Sequence, residues 1–125
     1  MTLYQVRLEL GRTDGAPQGD PHHGYEFVAP LDGDGHLDAA EWNRHKAHCT
    51  VRGFRPGEHD RFGQLRHVGQ GWRFDYDPQA REDDEPFFKL DRHRIVPDLY
   101  VSITEEDGRQ RPFKIVSVAP VGVDA

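Results

Sequence analysis

The chain has 125 residues, 35% hydrophobic and 30% charged, with 13 Gly, 9 Pro, 8 His and a single Cys, a size that builds one compact domain rather than two. Its net charge of −6 disfavours non-specific binding to nucleic acid, which draws affinity from Lys and Arg displacing counterions around phosphate. One cysteine excludes an intrachain disulfide, a CxxC pair and an all-cysteine zinc site.

The opening Met1-Thr2-Leu3-Tyr4-Gln5-Val6-Arg7 has no basic segment leading into an apolar one, and no apolar run approaches the roughly 18 residues that cross a bilayer. No secretory leader and no membrane span are therefore expected. With the lone thiol this predicts a cytoplasmic protein. The cations are nearly all Arg, with Lys only at Lys46, Lys89 and Lys114, a bias that fits GC-rich codons and a bacterial source.

In chain order, Tyr4, Val6, Leu8 and Leu10 alternate with Gln5, Arg7 and Glu9, the period of a half-buried strand over Leu3 to Leu10. Residues 11–23 hold Gly11, Gly15, Pro17, Gly19 and Pro21 and read as a long exposed loop. Tyr25 to Ala29 alternates again, and Pro30 is expected to stop that strand by withholding a backbone donor. Asp38 followed by Glu41 at the third position after it forms a capping box, which predicts a helix over residues 38–49. Its Ala39, Trp42, Lys46 and Cys49 fall on one stripe at helical spacing, with Trp42 as the anchor to a sheet.

Thr50 to Phe54, Gln64 to Val68 and Trp72 to Tyr76 read as short strands separated by turns, Arg55-Pro56-Gly57 and Gly69-Gln70-Gly71 among them. Residues 77–86, with Glu82, Asp83, Asp84 and Glu85, predict a solvated acidic loop. Phe87 to Leu90, Leu99 to Thr104 and Pro112 to Val118 complete the strands, the last two joined by Glu105-Glu106-Asp107-Gly108, whose Asp-Gly step suits a tight turn. Short strands without a βαβ rhythm predict a mainly β domain: a small antiparallel barrel or strongly bent sheet of about six to eight strands with one short helix. The segments Pro97-Asp98-Leu99-Tyr100-Val101-Ser102-Ile103 and Phe113-Lys114-Ile115-Val116-Ser117-Val118 together resemble the closing hairpin of small bacterial β-barrels of the SH3-like and OB-like kind. That resemblance spans about a fifth of the chain and implies a barrel, with no activity attached.

Three clusters nominate chemistry. On the predicted helix, His45 and Cys49 are four apart and His48 three from His45, spacings at which imidazole and thiolate reach one ion, with His36, Asp34 or the His22-His23 pair as third ligand. Zinc is the ion such a set would take; core packing of Cys49 beside Trp42 is the competing explanation, and no cofactor is predicted. Asp32-Gly33-Asp34-Gly35-His36-Leu37-Asp38 begins like a calcium loop, but Leu37 stands where glycine is needed and Asn43 where a closing Glu belongs. In the loop Asp20-Pro21-His22-His23, Asp20 could orient one histidine as a general base. No nucleophile elbow, phosphate-binding glycine loop or HExxH helix is present in the sequence.

Trp72, Phe74 and Tyr76 share one sheet face. Core packing is the favoured explanation; the alternative is a stacking platform for bases or a sugar, served by Arg52, Arg55, Arg66, Arg73, Arg92 and Arg94. Arg73, Phe87, Phe88, Arg92 and Arg94 are the candidate binding surface, with Phe87-Phe88 as a partner-binding edge. The expectation is a noncatalytic module, residues 1–125 in one domain, monomeric or homodimeric, that binds a protein or small ligand through its loops. The alternatives are a histidine-dependent metal protein or enzyme, and a single-stranded nucleic-acid binder.

Overall fold

The computed structural model describes residues 3–68, 71–75, 87–88, 94–105 and 107–121. Among them eight strands run antiparallel in sequence order: β1 Leu3–Leu10, β2 Asp20–Pro30, β3 Thr50–Phe54, β4 Arg61–Val68, β5 Gly71–Asp75, β6 Phe87–Phe88, β7 Tyr100–Thr104 and β8 Gln110–Val121. The sheet closes because β1 pairs with β8 as well as with β2, from Leu3↔Val121 to Leu10↔Phe113. The wall is thinnest around β6, which meets β5 at two residue pairs and β7 at one, Phe87↔Thr104. The expected small barrel with one short helix is the architecture observed, and no described helix is long and apolar enough to cross a membrane.

The predicted closing hairpin is present: β7 and β8 flank a turn in which the Gly108 amide donates to the Glu105 carbonyl at 2.8 Å, with Gly108 at φ +81°. The whole barrel differs from the OB-like kind, whose strands follow Greek-key order, because each strand here lies beside its sequence neighbours. Eight strands enclose a space that side chains can just fill. Phe27, Leu65, Trp72, Phe74, Ile103, Phe113 and Ile115 fill it, all but excluded from solvent.

Several strand ends differ from expectation. The second strand begins at Asp20, so the exposed loop ends at residue 19 rather than 23. Leu10 pairs with Asp20 across a bulge, which extends the ladder into the Pro/Gly-rich stretch. Proline does not stop that strand at its other end: Pro30 pairs with Leu3, and its carbonyl accepts the Asp38 amide at 3.1 Å. The fourth strand starts three residues early, at Arg61, and the last spans Gln110–Val121 because both flanks find partners, on β7 and on β1. The loop at 77–86 lies outside the described residues.

The helix is shorter than predicted. α1 spans Ala39–Arg44, His45 leaves the helical region at φ −126° and ψ 26°, and Lys46–His48 form one 3₁₀ turn. Asp38 Oδ1 accepts the Glu41 amide at 3.1 Å, as a cap should. The reciprocal half of the capping box is absent: the Asp38 amide is taken by Pro30, and the Glu41 carboxylate faces Arg44 at 3.4 Å and His45 at 3.5 Å. The helix stops because Cys49 must turn into the core, where its carbonyl accepts the Leu65 amide at 2.8 Å and opens the β3–β4 ladder. Trp42 is the anchor, its Nε1 donating to the Leu65 carbonyl at 2.9 Å and its ring 5.8 Å from that of Trp72, with Lys46 Nζ 5.1 Å above it.

Candidate functional site

The two ends of the barrel are closed by different chemistry. At the end where α1 sits, the closure is mostly apolar: Leu31, Leu37 and Cys49 are buried, Trp42 packs against Trp72 and His67, and Ile95 tucks under with its amide on the Gly35 carbonyl at 2.7 Å. At the opposite end the core runs into a charged cluster. Glu105, the buried charged residue among the described ones, turns its carboxylate inward from the β7–β8 turn.

Four donors meet that carboxylate. Oε2 receives His23 Nε2 at 3.0 Å, Arg55 Nη2 at 3.0 Å and the Tyr25 hydroxyl, and Oε1 receives Arg111 Nη1 at 2.8 Å. Strand alternation explains the convergence. His23, Tyr25 and Phe27 share the inner face of β2, Arg55 continues Val51 and Gly53, Glu105 continues Val101 and Ile103, and Arg111 precedes Phe113 and Ile115. Each of the four strands thus carries its inward series one step past the apolar core. Phe113 floors the cluster, 5.3 Å from Tyr25 and 5.7 Å from His23 between ring centres.

Burial alone pushes the Glu105 carboxyl upward. The hydrogen bonds from His23 and Tyr25, with the positive charge of Arg55, overcome that and hold it down at about 2. It is therefore an ionised acceptor near neutral pH, with donors on both oxygens, and neither gives nor takes a proton there. Arg111 also grips Asp107, Nη1 to Oδ1 at 3.0 Å and Nη2 to Oδ2 at 2.8 Å, a two-pronged contact that holds the turn and keeps Asp107 well below the usual carboxylate range. The cluster ties β2, the β3–β4 turn, the β7–β8 turn and β8 into one rigid mouth.

Beside it, on the outer wall, Glu26 sits between Arg7 of β1 and Arg52 of β3, the cross-strand register placing all three in one row. The Phe54 ring lies between the two guanidiniums, 4.6 Å from Arg7 and 5.0 Å from Arg52. Gly24 makes room for it: a Cβ there would stand 1.9 Å from the Leu8 carbonyl oxygen and 3.0 Å from the Phe54 ring. A cavity of about 20 Å³, enough for a water, lies between Tyr25, Gly53, Arg55 and Arg61.

The residues singled out in the sequence are scattered over this frame. Asp20 does not orient an imidazole; its Oδ1 accepts the His22 amide at 2.8 Å, and His22 stays exposed while His23 points inward to Glu105. His45, His48 and Cys49 do not share a helix face, because α1 has ended before them. Cys49 is fully buried and burial pushes its thiol up to about 11, so it sits in the core as a neutral thiol. Among the described residues, Asp32, Asp34 and His36 bring three ligand atoms within 4.8 Å of one another. Asp32 Oδ1 there accepts the amides of Asp34 at 2.8 Å and His36 at 3.0 Å, which accounts for the cluster as an exposed turn.

Trp72 and Phe74 point into the core and cannot serve as a stacking platform. Arg73 lies on the outer face of β5, and Arg94 is exposed with its Nε on the Asp34 carbonyl at 3.0 Å, at the helix end. Phe87 and Phe88 form β6. Arg92 and Tyr76, with the side chains of Phe87 and Phe88, lie outside what is described. Sequence reasoning missed Glu105, Tyr25, Arg55 and Arg111 as a set; the unbroken inward alternation of the four strands was the signal that could have found them. No family model matches the chain, and neither a curated protein nor a solved structure matches it significantly.

Proposed function

We propose that the chain is a noncatalytic binding module that takes its ligand at the turns of the Glu105 end. The observation that carries this reading is the commitment of Glu105: four donors from three other parts of the chain saturate its carboxylate and lock the surrounding turns in place. An anion held at about 2 with donors on both oxygens is a poor acid and a poor base at neutral pH. It is well suited to presenting fixed loops, since ordering costs met within the free protein are not met again on binding. The helix end offers less, because its closure is packed apolar surface.

Amide chemical-shift mapping with a fragment mixture of carboxylates, amines, saccharides and aromatics tests this. The reading expects shifts clustered at residues 11–21, 54–61 and 105–111. Shifts clustered around α1 and residues 94–96 would overturn it. So would turnover of a simple ester or phosphoester that disappears in His23→Ala.

A further inference from the structure

On the outer side of the Glu105 end, a cleft of about 230 Å³ opens between the β1–β2 connection and the β7–β8 wall, with Gly11, Gly19, Asp20, Tyr100 and Lys114 in its lining. Tyr100 is 55% exposed although it sits within a paired strand. Its position is nonetheless held. A Cβ on Gly11 would stand 3.0 Å from Tyr100 Cε2 and 3.4 Å from Cδ2, so the ring rests on glycine backbone. The Gly11 amide in turn donates to the Pro112 carbonyl at 2.9 Å. One side of the ring is thus seated against the fold, and much of the ring is left to solvent.

The rest of the cleft divides into two kinds of surface. Val116, itself exposed, continues the apolar side beside Tyr100. The polar part of the lining is Glu9, Arg12, Gln18, Asp20 and Lys114; Glu9 Oε2 also accepts from Arg7 Nε at 2.7 Å and Asp20 Oδ1 from the His22 amide at 2.8 Å. A ligand matching this has one apolar face to lay on an aromatic ring and a periphery of neutral groups that both donate and accept hydrogen bonds. A pyranose sugar has that make-up: its axial C–H bonds form an apolar face and its hydroxyls project from the edge. The volume suits one sugar ring and falls short of the roughly 300–1,000 Å³ of pockets for larger ligands. A nucleotide would also stack, but Glu9 and Asp20 balance Arg12 and Lys114 in the same cleft, so no net positive charge is there to hold its phosphate.

We infer that the Tyr100–Gly11 cleft is a saccharide-binding subsite, with Tyr100 as the stacking platform and Arg12, Gln18 and the second carboxylate oxygens of Glu9 and Asp20 as hydroxyl partners. This rests on the binding-module reading and deepens it. Single sugar units on one aromatic ring bind weakly, so the contact is expected in the millimolar range and strengthened in oligosaccharides that reach beyond the cleft.

The test is a titration of the full chain followed by amide shifts. The probes are methyl glucoside, methyl galactoside, N-acetylglucosamine and their β- and α-linked disaccharides, with acetate and an Asp/Glu-rich peptide as non-sugar controls. Saturable shifts at Gly11, Gly19 and Tyr100 with at least one saccharide are expected. Tyr100→Ala should weaken binding at least tenfold, Tyr100→Trp should retain it, and Gly11→Ala should weaken it by displacing the ring while leaving the dispersion of the other amides intact. Saccharide silence at these positions, with shifts from the peptide or acetate at Arg55 and Arg111, would overturn the sugar subsite and leave the binding module standing. Silence toward every probe at every turn of this end would overturn both. Saccharide shifts that survive Tyr100→Ala unchanged would also remove the proposal.

Discussion

The helix end and the Glu105 end of the barrel solve the same problem, how to finish a core, with opposite materials. Trp42, Ile95, Leu31 and Leu37 finish one end by covering it with apolar surface, which is non-directional and graded in its response to change. Glu105 with His23, Tyr25, Arg55 and Arg111 finishes the other with directed bonds to a desolvated charge. The difference teaches where rigidity and sensitivity reside. A covering can lose volume and still cover, whereas a buried anion that loses its partners, or partners that lose their anion, leave uncompensated charge behind.

The largest effect should come from Glu105→Ala, which takes from His23, Tyr25, Arg55 and Arg111 the buried carboxylate they share; it should cost about 3–5 kcal/mol in urea unfolding. Adding Arg55→Met and Arg111→Met should recover part of that loss, since it removes the charges that Glu105 had compensated. A triple variant as unstable as the single one would break the contrast between the two ends.

Acid should act on the same end. Glu105 is held at about 2 in the fold against an ordinary 4.5, so its folded value is depressed. Its contribution is fully present above pH 4.5 and is lost as pH falls toward 2, on the order of 3 kcal/mol in total. The stability difference between wild type and Glu105→Gln should therefore shrink across that window. A difference that stays constant down to pH 2 would show that the carboxylate is not the titrating group.

At the helix end, Trp42→Ala should cost about 2–3 kcal/mol, less than a fully buried aromatic, because Trp42 is half-buried and its indole bond to the Leu65 carbonyl is one of several directed contacts there. Its signature should be a red shift of the remaining Trp72 fluorescence. The cap variant Asp38→Ala should cost about 1 kcal/mol, read from the thermal midpoint. Smallest of all should be Asp107→Asn: its two-pronged pair with Arg111 is partly solvated, so the loss should stay within about 1 kcal/mol. A loss of Glu105 size from Asp107→Asn would mean that the turn, not the buried carboxylate, holds this end together.

Much of the barrel was legible in the sequence. Tyr4, Val6, Leu8 and Leu10 declared β1 to the residue, Asp107-Gly108 declared the β7–β8 turn, and Asp38 the helix start, because period two, a turn's need for positive φ and a cap's side-chain acceptor are local properties. The helix end was less legible. The stripe Ala39, Trp42, Lys46, Cys49 is helical by spacing, yet the demand of the Leu65 amide for the Cys49 carbonyl lies sixteen positions further on, outside any local window. The start of β2 was hidden for a like reason: Pro and Gly around Asp20 argue for a loop, and only pairing across the bulge with Leu10 makes that stretch a strand.

The candidate sites divide the same way. Residue identity marked the histidines and Cys49 as reactive types, but proximity in sequence did not make them a cluster. The cluster that formed joins residues 23, 25, 55, 105 and 111, and apart from Tyr25, which alternation placed in a strand, its members gave no local sign of burial. By itself the sequence determined the strands, their inward faces, the tight turn and the helix cap, because each depends on neighbours within a few positions. Only the tertiary structure decided which strand ends meet, and so that a glutamate from one turn lies among donors from three other segments, because antiparallel pairing and barrel closure bring distant residues to one end and desolvation there turns an ordinary carboxylate into a buried anion.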